Sequence, residues 1–150
     1  MTSPTPLHLH QDIHRWLTAY QAAFEHLDAT AVAAFWQAPT LALDSQDARV
    51  CVDAEALTTA FTAAIDQLRL AGLRTAHWQL DQVRALGEGL ADCVVRWWLR
   101  DAAGQLIKTL HNVYVLRRTE HDWKVAAVYL LEPGQSILSM TPIGDGIPSP

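Results

Sequence analysis

The stretch Lys108–Leu131, KTLHNVYVLRRTEHDWKVAAVYLL, limits the possible folds more than any other part of the chain. It holds two runs rich in Val, Leu, Tyr and Trp, separated by the short polar segment Thr119-Glu120-His121-Asp122. Such a pattern is that of two antiparallel strands joined by a hairpin turn. Two runs of the same character precede it, RTAHWQLDQVRAL and LADCVVRWWLRD, and GEG and AAG divide them. Four long strands with short dividers predict an antiparallel meander.

The residues upstream read differently. Between Leu7 and Leu27, the side chains Ile13, Trp16, Leu17, Tyr20, Phe24 and Leu27 recur at three- and four-residue steps, which is one buried stripe of a helix. Pro6 suits its start, where the missing N–H would be unpaired anyway. Asp28 and Thr30 can each cap a second helix, ATAVAAFW, ending before Pro39. TLALDS and ARVCV around a polar SQD turn predict two short strands. Asp53 opens a third helix carrying Leu57, Phe61, Ile65 and Leu68, and Gly72 closes it. Helices first and long strands last predict an α+β fold, with three N-terminal helices packed on one face of a mainly antiparallel sheet.

With 150 residues, the simplest expectation is one domain over residues 7–132, with Pro/Ser/Gly-rich tails at 1–6 and 133–150. A net charge of −5 with 11 Lys and Arg argues against a nucleic-acid surface. There is no apolar run of ~20 residues to span a bilayer, and MTSPTPLHLHQD lacks the basic-then-apolar form of a signal peptide. A cytoplasmic protein is expected. Its two cysteines, Cys51 and Cys93, could pair on count alone, but buried reduced thiols are the preferred reading.

Strand register then sorts side chains into faces. Pairing Asp101 with Gly104 sets Cys93 opposite Asn112, and pairing Arg118 with Trp123 sets Asn112 opposite Tyr129. One face then carries Ala91, Cys93, Val95, Trp97, Leu99, Leu110, Asn112, Tyr114, Leu116, Val125, Ala127 and Tyr129. This more apolar face is expected to meet the helices and floor a pocket lined by Trp16, Phe24, Phe61, Trp78, Cys93, Trp97, Tyr114 and Tyr129. Asn112 is its central polar member and needs a hydrogen-bond partner, either a neighbouring protein group or a ligand. For strand 74–86 two registers compete: one turns Ala76, Trp78 and Leu80 inward, the other His77 and Asp81, because a one-residue slip exchanges faces. Apolarity favours the first.

The opposite face carries Val113, Val115, Ala126, Val128, Leu130 and Trp98, whereas a solvated antiparallel face would alternate to polar residues. A homodimer through this outer face is the expected partner. The alternative cover is the C-terminal segment QSILSMTPIGDGIP.

This order of elements, with AYQAAFEHLDATAVAAFW, DAEALTTAFTAAI and DWKVAAVYL, resembles the nuclear transport factor 2-like superfamily from Asp12 to Glu132. That superfamily includes ketosteroid isomerase, scytalone dehydratase and the polyketide cyclases, and the resemblance implies a cone-shaped, cystatin-like α+β fold with a strongly curved sheet. Laid along this chain, the ketosteroid-isomerase pattern puts its oxyanion-binding Tyr on Tyr20 and its proton-moving Asp on Asp44. Its second oxyanion donor, an Asp, falls on or near Asn112, which is a departure, since an amide has no acidic proton. The implied chemistry is proton removal beside a carbonyl, with two donors stabilising the enolate. Each residue also has a plainer role: Tyr20 as a member of the helix stripe, Asp44 as the first residue of a turn.

His8, His10 and His14 cluster in sequence, but no carboxylate or Cys joins them at ligand spacing, so no metal is expected. There is no Gly-rich phosphate loop and no nucleophile elbow, and no cofactor is implied. Two functions stand from the sequence. One is a protein with a pocket for a small hydrophobic carbonyl or cyclic compound, as an enzyme a cofactor-free isomerase, dehydratase or cyclase. The other is a non-catalytic ligand-binding or dimerisation module.

Overall fold

The computed structural model describes residues 6–132. The tail segments 1–5 and 133–150, and with them the C-terminal alternative for covering the sheet, lie outside the described residues. Helix α1 runs Pro6–Glu25, α2 Ala29–Ala33 and α3 Ala54–Ala71. The strands are β1 Trp36–Leu43, β2 Ala48–Cys51, β3 Leu73–Gly87, β4 Leu90–Asp101, β5 Leu106–Arg118 and β6 Trp123–Leu130. They form one curved, unclosed α+β sheet in the order β2-β1-β6-β5-β4-β3. Every neighbouring pair is antiparallel except β1 and β6, which run parallel.

The helix boundaries have local causes. The Asp28 side chain accepts from Ala31 N to cap α2, and the Asp53 side chain accepts from Ala56 N to cap α3. Gly72, at φ 86°, takes the left-handed turn that ends α3 and leads straight into β3. Helix α2 is shorter than its sequence suggests. Phe35 already offers its carbonyl to Val125 N, and Trp36 pairs with Val125 as the first residue of β1. The residues expected to finish α2 are therefore drawn into the sheet.

The stripe of α1 is buried, with Ile13, Trp16, Leu17, Tyr20 and Phe24 in one core with Phe61, Ile65 and Leu68 of α3 and the inner sheet face. Helix α1 is clamped to the free edge of the sheet. Glu25 accepts from Ala76 N at 2.9 Å, Gln21 donates to Glu25 at 3.1 Å, and Gln21 accepts from the Trp78 indole at 2.9 Å. An edge-strand N–H thus finds a side-chain acceptor, one of the ways a protein blunts an exposed edge.

Several register shifts interrupt the sheet, and three of them bear on the expected faces. In β4–β5 the pairs are Cys93↔Tyr114 and Trp97↔Leu110, two residues from the expected register, so the faces are kept. The hairpin closes between Asp101 and Gln105 rather than Gly104, and Ile107 is an extra residue in β5. In β5–β6 the expected register holds from Arg118↔Trp123 to Leu116↔Val125, then Ala126 bulges and the next pair is Val115↔Ala127. Side chains beyond it change sides. Val128 (1% exposed) and Leu130 turn inward, and Tyr129 (38% exposed) turns out. The assignments of Tyr129 to the pocket and of Val128 and Leu130 to the outer face are both corrected. In the middle of β3 Asp81 is an extra residue: before it Ala76, Trp78 and Leu80 face in, and after it Val83 pairs with Cys93 in the competing register.

Candidate functional site

Inside the curve of the sheet a narrow cavity is walled by aromatic side chains from every layer. Helix α1 supplies Tyr20 and Phe24, β1 supplies Trp36 and α3 supplies Phe61, while the inner sheet face adds Trp97, Leu99, Leu110, Asn112, Tyr114, Val128 and Leu130. The free space among them is about 390 Å³ counted to its open side, but the centre of a water molecule can move through only about 20 Å³ of it. That is room for one or two waters.

Polar atoms on this wall form two linked sets. The Trp36 indole donates to the Tyr20 hydroxyl oxygen at 2.7 Å. The Trp97 indole and the Asn112 amide both donate to the Tyr114 hydroxyl oxygen, at 3.0 and 3.2 Å. With two donors on its oxygen, Tyr114 has its lone pairs filled, and only its O–H remains to be used. Burial pushes both tyrosine hydroxyls well above their ordinary range, outweighing the hydrogen bonds from Asn112 and Trp97 to Tyr114 and from Trp36 to Tyr20, so they stand as neutral O–H donors. Asn112, only 6% exposed, uses its amide N–H₂ on Tyr114. The partner this buried amide required is therefore in part a protein group.

Of the residues singled out from the sequence, Tyr20 and Asn112 line this cavity, together with Phe24, Phe61, Trp97 and Tyr114. Asp44 is not brought to them. Its Oδ1 accepts from Gln46 N and Asp47 N, both at 2.7 Å, which makes it the head of the β1–β2 turn. Trp16 lies behind Tyr20, stacked on it at 4.9 Å, and Trp78 is held by Gln21 at the sheet edge. Cys93 is fully buried in the sheet, its thiol pushed up to about 12 by burial and then by neighbouring Asp92, and neither it nor Cys51 is disulfide-bonded. Tyr129 is outside. His10 and His14 are exposed on α1, with His14 edge-on to Trp78 at 4.8 Å. His77 and Asp81 face away from the cavity, and Asp81 accepts from Arg96 at 2.8 Å and Gln79 at 2.7 Å. Besides Val128 and Leu130, which the bulge turns inward, Trp36 is a lining residue that sequence reasoning missed. Its signal was present in WQAPTLAL, where Trp36, Ala38, Thr40 and Ala42 alternate with larger or exposed residues, but Pro39 drew attention as a helix stop.

Sequence comparison agrees with this architecture. The family model described as NTF2-like protein (DUF6841) matches residues 11–133. The chain belongs to that NTF2-like family. No curated protein matches it. Among solved structures it is similar to a domain of unknown function with a cystatin-like fold from Nostoc punctiforme, with a TM-score of 0.67 and 14% identity over 85% of this chain and 78% of that one. An NTF-2-like protein of unknown function from Shewanella oneidensis gives 0.64 and 13%, covering 82% and 98%. A ketosteroid isomerase-like protein from Erwinia carotovora gives 0.57 and 15%, covering 82% and 96%. At these identities the likeness is one of fold, and the NTF2-like fold hosts many unrelated activities. Among the described residues, no helix is long and apolar enough to cross a membrane.

Proposed function

We propose that this NTF2-like protein binds a compact hydrophobic compound carrying a single hydroxyl or carbonyl oxygen, and that the buried tyrosine pair reads that oxygen. The observation that carries this reading is the Tyr114 hydroxyl, whose oxygen is saturated by Trp97 and Asn112 and whose proton finds no acceptor among the described residues. Tyr20 offers a second donor on the same wall. A ligand acceptor atom between them would complete both, while the aromatic wall removes the rest of the compound from water. The tightness of the cavity means that a ring enters only as lining side chains give way, which favours a small ligand.

Enolisation with Asp44 as base is the less supported reading, because Asp44 is committed to its turn and no carboxylate lines the cavity among the described residues. A matched pair of probes separates the possibilities. 1-Indanone should raise the melting temperature and indane should not, and Tyr20→Phe and Tyr114→Phe should each remove the indanone effect. Equal binding of the two probes would show that no oxygen is read. Solvent exchange of the indanone α-protons, catalysed by the protein and lost in Asp44→Asn, would reinstate the enzyme.

We propose in addition that two copies associate through the outer sheet face. Val94, Val113 and Val115 lie half-buried on it beside exposed Tyr129, an apolar column on the solvent side of an antiparallel sheet. Sedimentation at micromolar concentration should give a dimer that Val113→Glu dissociates. A wild-type monomer would end the idea.

A further inference from the structure

A second hollow opens between α1 and the β5–β6 turn, and it shares no lining residue with the inner cavity. The Trp16 indole, whose other surroundings are Tyr20 and Tyr114, lines it together with Phe35 and Trp123. It gives the centres of water molecules about 360 Å³, so it is roomy where the inner cavity is tight. Two features mark it as more than a surface dent.

The first is Trp16 Nε1. Among the described residues it is a buried side-chain donor with no hydrogen-bond partner, in a residue that is 3% exposed. A buried N–H left in that state is costly and calls for an explanation. The second is Arg118. Its guanidinium carbon sits 5.9 Å from the Trp123 ring centroid, and it makes no ion pair among the described residues. The cleft also carries Arg15 and three carboxylates, Asp12, Glu120 and Asp122, each lying against a neighbouring group. Arg15 is paired with Asp12 at 3.4 Å, Glu120 and His121 lie against each other at 3.7 Å in the solvent, and Asp122 accepts from Trp123 N at 2.8 Å.

We propose that this cleft binds a small carboxylic acid with an apolar, ring-sized body. The body lies against Phe35, Trp16 and Trp123, and the carboxylate is held by Arg118, which is presented by its own stacking on Trp123. The Trp16 N–H turns toward the cleft to reach an acceptor of the ligand. Arginine is the residue suited to such a site, since its fork of donors matches a carboxylate and its face packs on an aromatic ring.

Phenylacetate is the probe, with phenylacetamide as its uncharged counterpart, titrated into ¹⁵N-labelled full-length protein. The Trp16 indole resonance is assigned by its loss in Trp16→Phe. Phenylacetate should move that resonance in a saturable way, and phenylacetamide should bind at least ~10-fold more weakly, one charge-assisted contact being worth that much. Arg118→Gln, a surface change that leaves the core intact, should weaken phenylacetate by a similar factor, and Arg118→Lys should recover part of it. Trp16→Phe, keeping the ring but not the donor, should weaken it several-fold.

The proposal is overturned if phenylacetate moves no indole resonance at millimolar concentration. It is also overturned if the amide binds as well as the acid, or if Arg118→Gln leaves the affinity unchanged. Loss of phenylacetate binding in Tyr114→Phe, with Arg118→Gln neutral, would place the ligand in the cone interior instead. The indanone experiment reads only that interior, so each site can fail alone.

Discussion

Replacing Tyr114 by Phe removes one oxygen and strands two donors. Trp97 Nε1 and Asn112 Nδ2, at 3.0 and 3.2 Å from that oxygen, have no other partner among the described residues, and both residues are buried. Each orphaned donor costs ~1–3 kcal/mol, so the substitution should destabilise by about 2–5 kcal/mol, toward the lower end if a water enters the adjacent space. Tyr20→Phe strands only the Trp36 indole and should cost about 1–3 kcal/mol. Urea unfolding followed by tryptophan fluorescence gives both values, and an unchanged m-value shows that the unfolded state is not what moved. Asn112→Leu then separates the two donors. In the Tyr114→Phe background the amide has already lost its partner, so removing it should be far cheaper than in the wild type, a coupling of about 1–2 kcal/mol. If Tyr114→Phe is as stable as wild type, or if the two substitutions simply add, the hydroxyl is not the hub described above.

Other outcomes follow from the same geometry. Both buried tyrosines have folded-state values raised above the unfolded value, so their contribution is intact below about pH 10 and falls as the pH rises beyond it, by about 2.7 kcal/mol per unit for the pair. Unfolding free energies between pH 9 and 11.5 check that slope, and absorbance at 295 nm should show two tyrosines ionising only as the protein unfolds. Gly72→Ala should cost about 1–2 kcal/mol in thermal melts, since φ 86° is left-handed while an added Cβ meets nothing nearer than Asp101 Cβ at 3.8 Å, leaving backbone strain as the whole effect. Asp44→Asn keeps an acceptor for the turn, so it should change stability by less than ~0.5 kcal/mol and leave indanone binding untouched; loss of binding would return Asp44 to the site.

The α+β class, the caps at Asp28 and Asp53, the closing role of Gly72 and the inner faces of β4 and β5 were all readable from the chain. Each rests on local chemistry or on a run of alternating residues long enough to fix a face. What could not be read lies beyond a bulge. Alternation in WKVAAVYLL gives no hint that Ala126 is skipped by its neighbour, so Val125 was placed correctly while Val128, Tyr129 and Leu130 were placed backwards. The ambiguity at strand 74–86 had the same origin: both registers are present, one on each side of Asp81. In the site, the burial of Tyr20 and Asn112 was legible because a helix stripe and a sheet face each pointed at them. Trp36 was harder to place, because the alternation in WQAPTLAL marks a strand but not its neighbour, and the parallel partner Val125 lies 89 residues away in sequence (125 − 36).

The bulge at Ala126 gives the final strand an unusual evolutionary grammar. Whether a side chain on it is core or surface depends on its count from that one unpaired residue, rather than on its own identity. Were Ala126 taken into the ladder opposite Val115, β6 would return to an uninterrupted alternation, withdrawing Val128 and Leu130 from the cavity and delivering Tyr129 in their place, a phenol beside Asn112 where there is now a wall of aliphatic carbon; deleting Ala126 would instead remove the bulge and leave every inward side chain where it is. A one-residue slip of the last strand would thus exchange what it gives the pocket and what it gives the outer face, while loss of the bulge residue itself would be silent in both. Relatives that have drifted apart by such a slip would keep the fold while differing in the part of the wall that the last strand supplies.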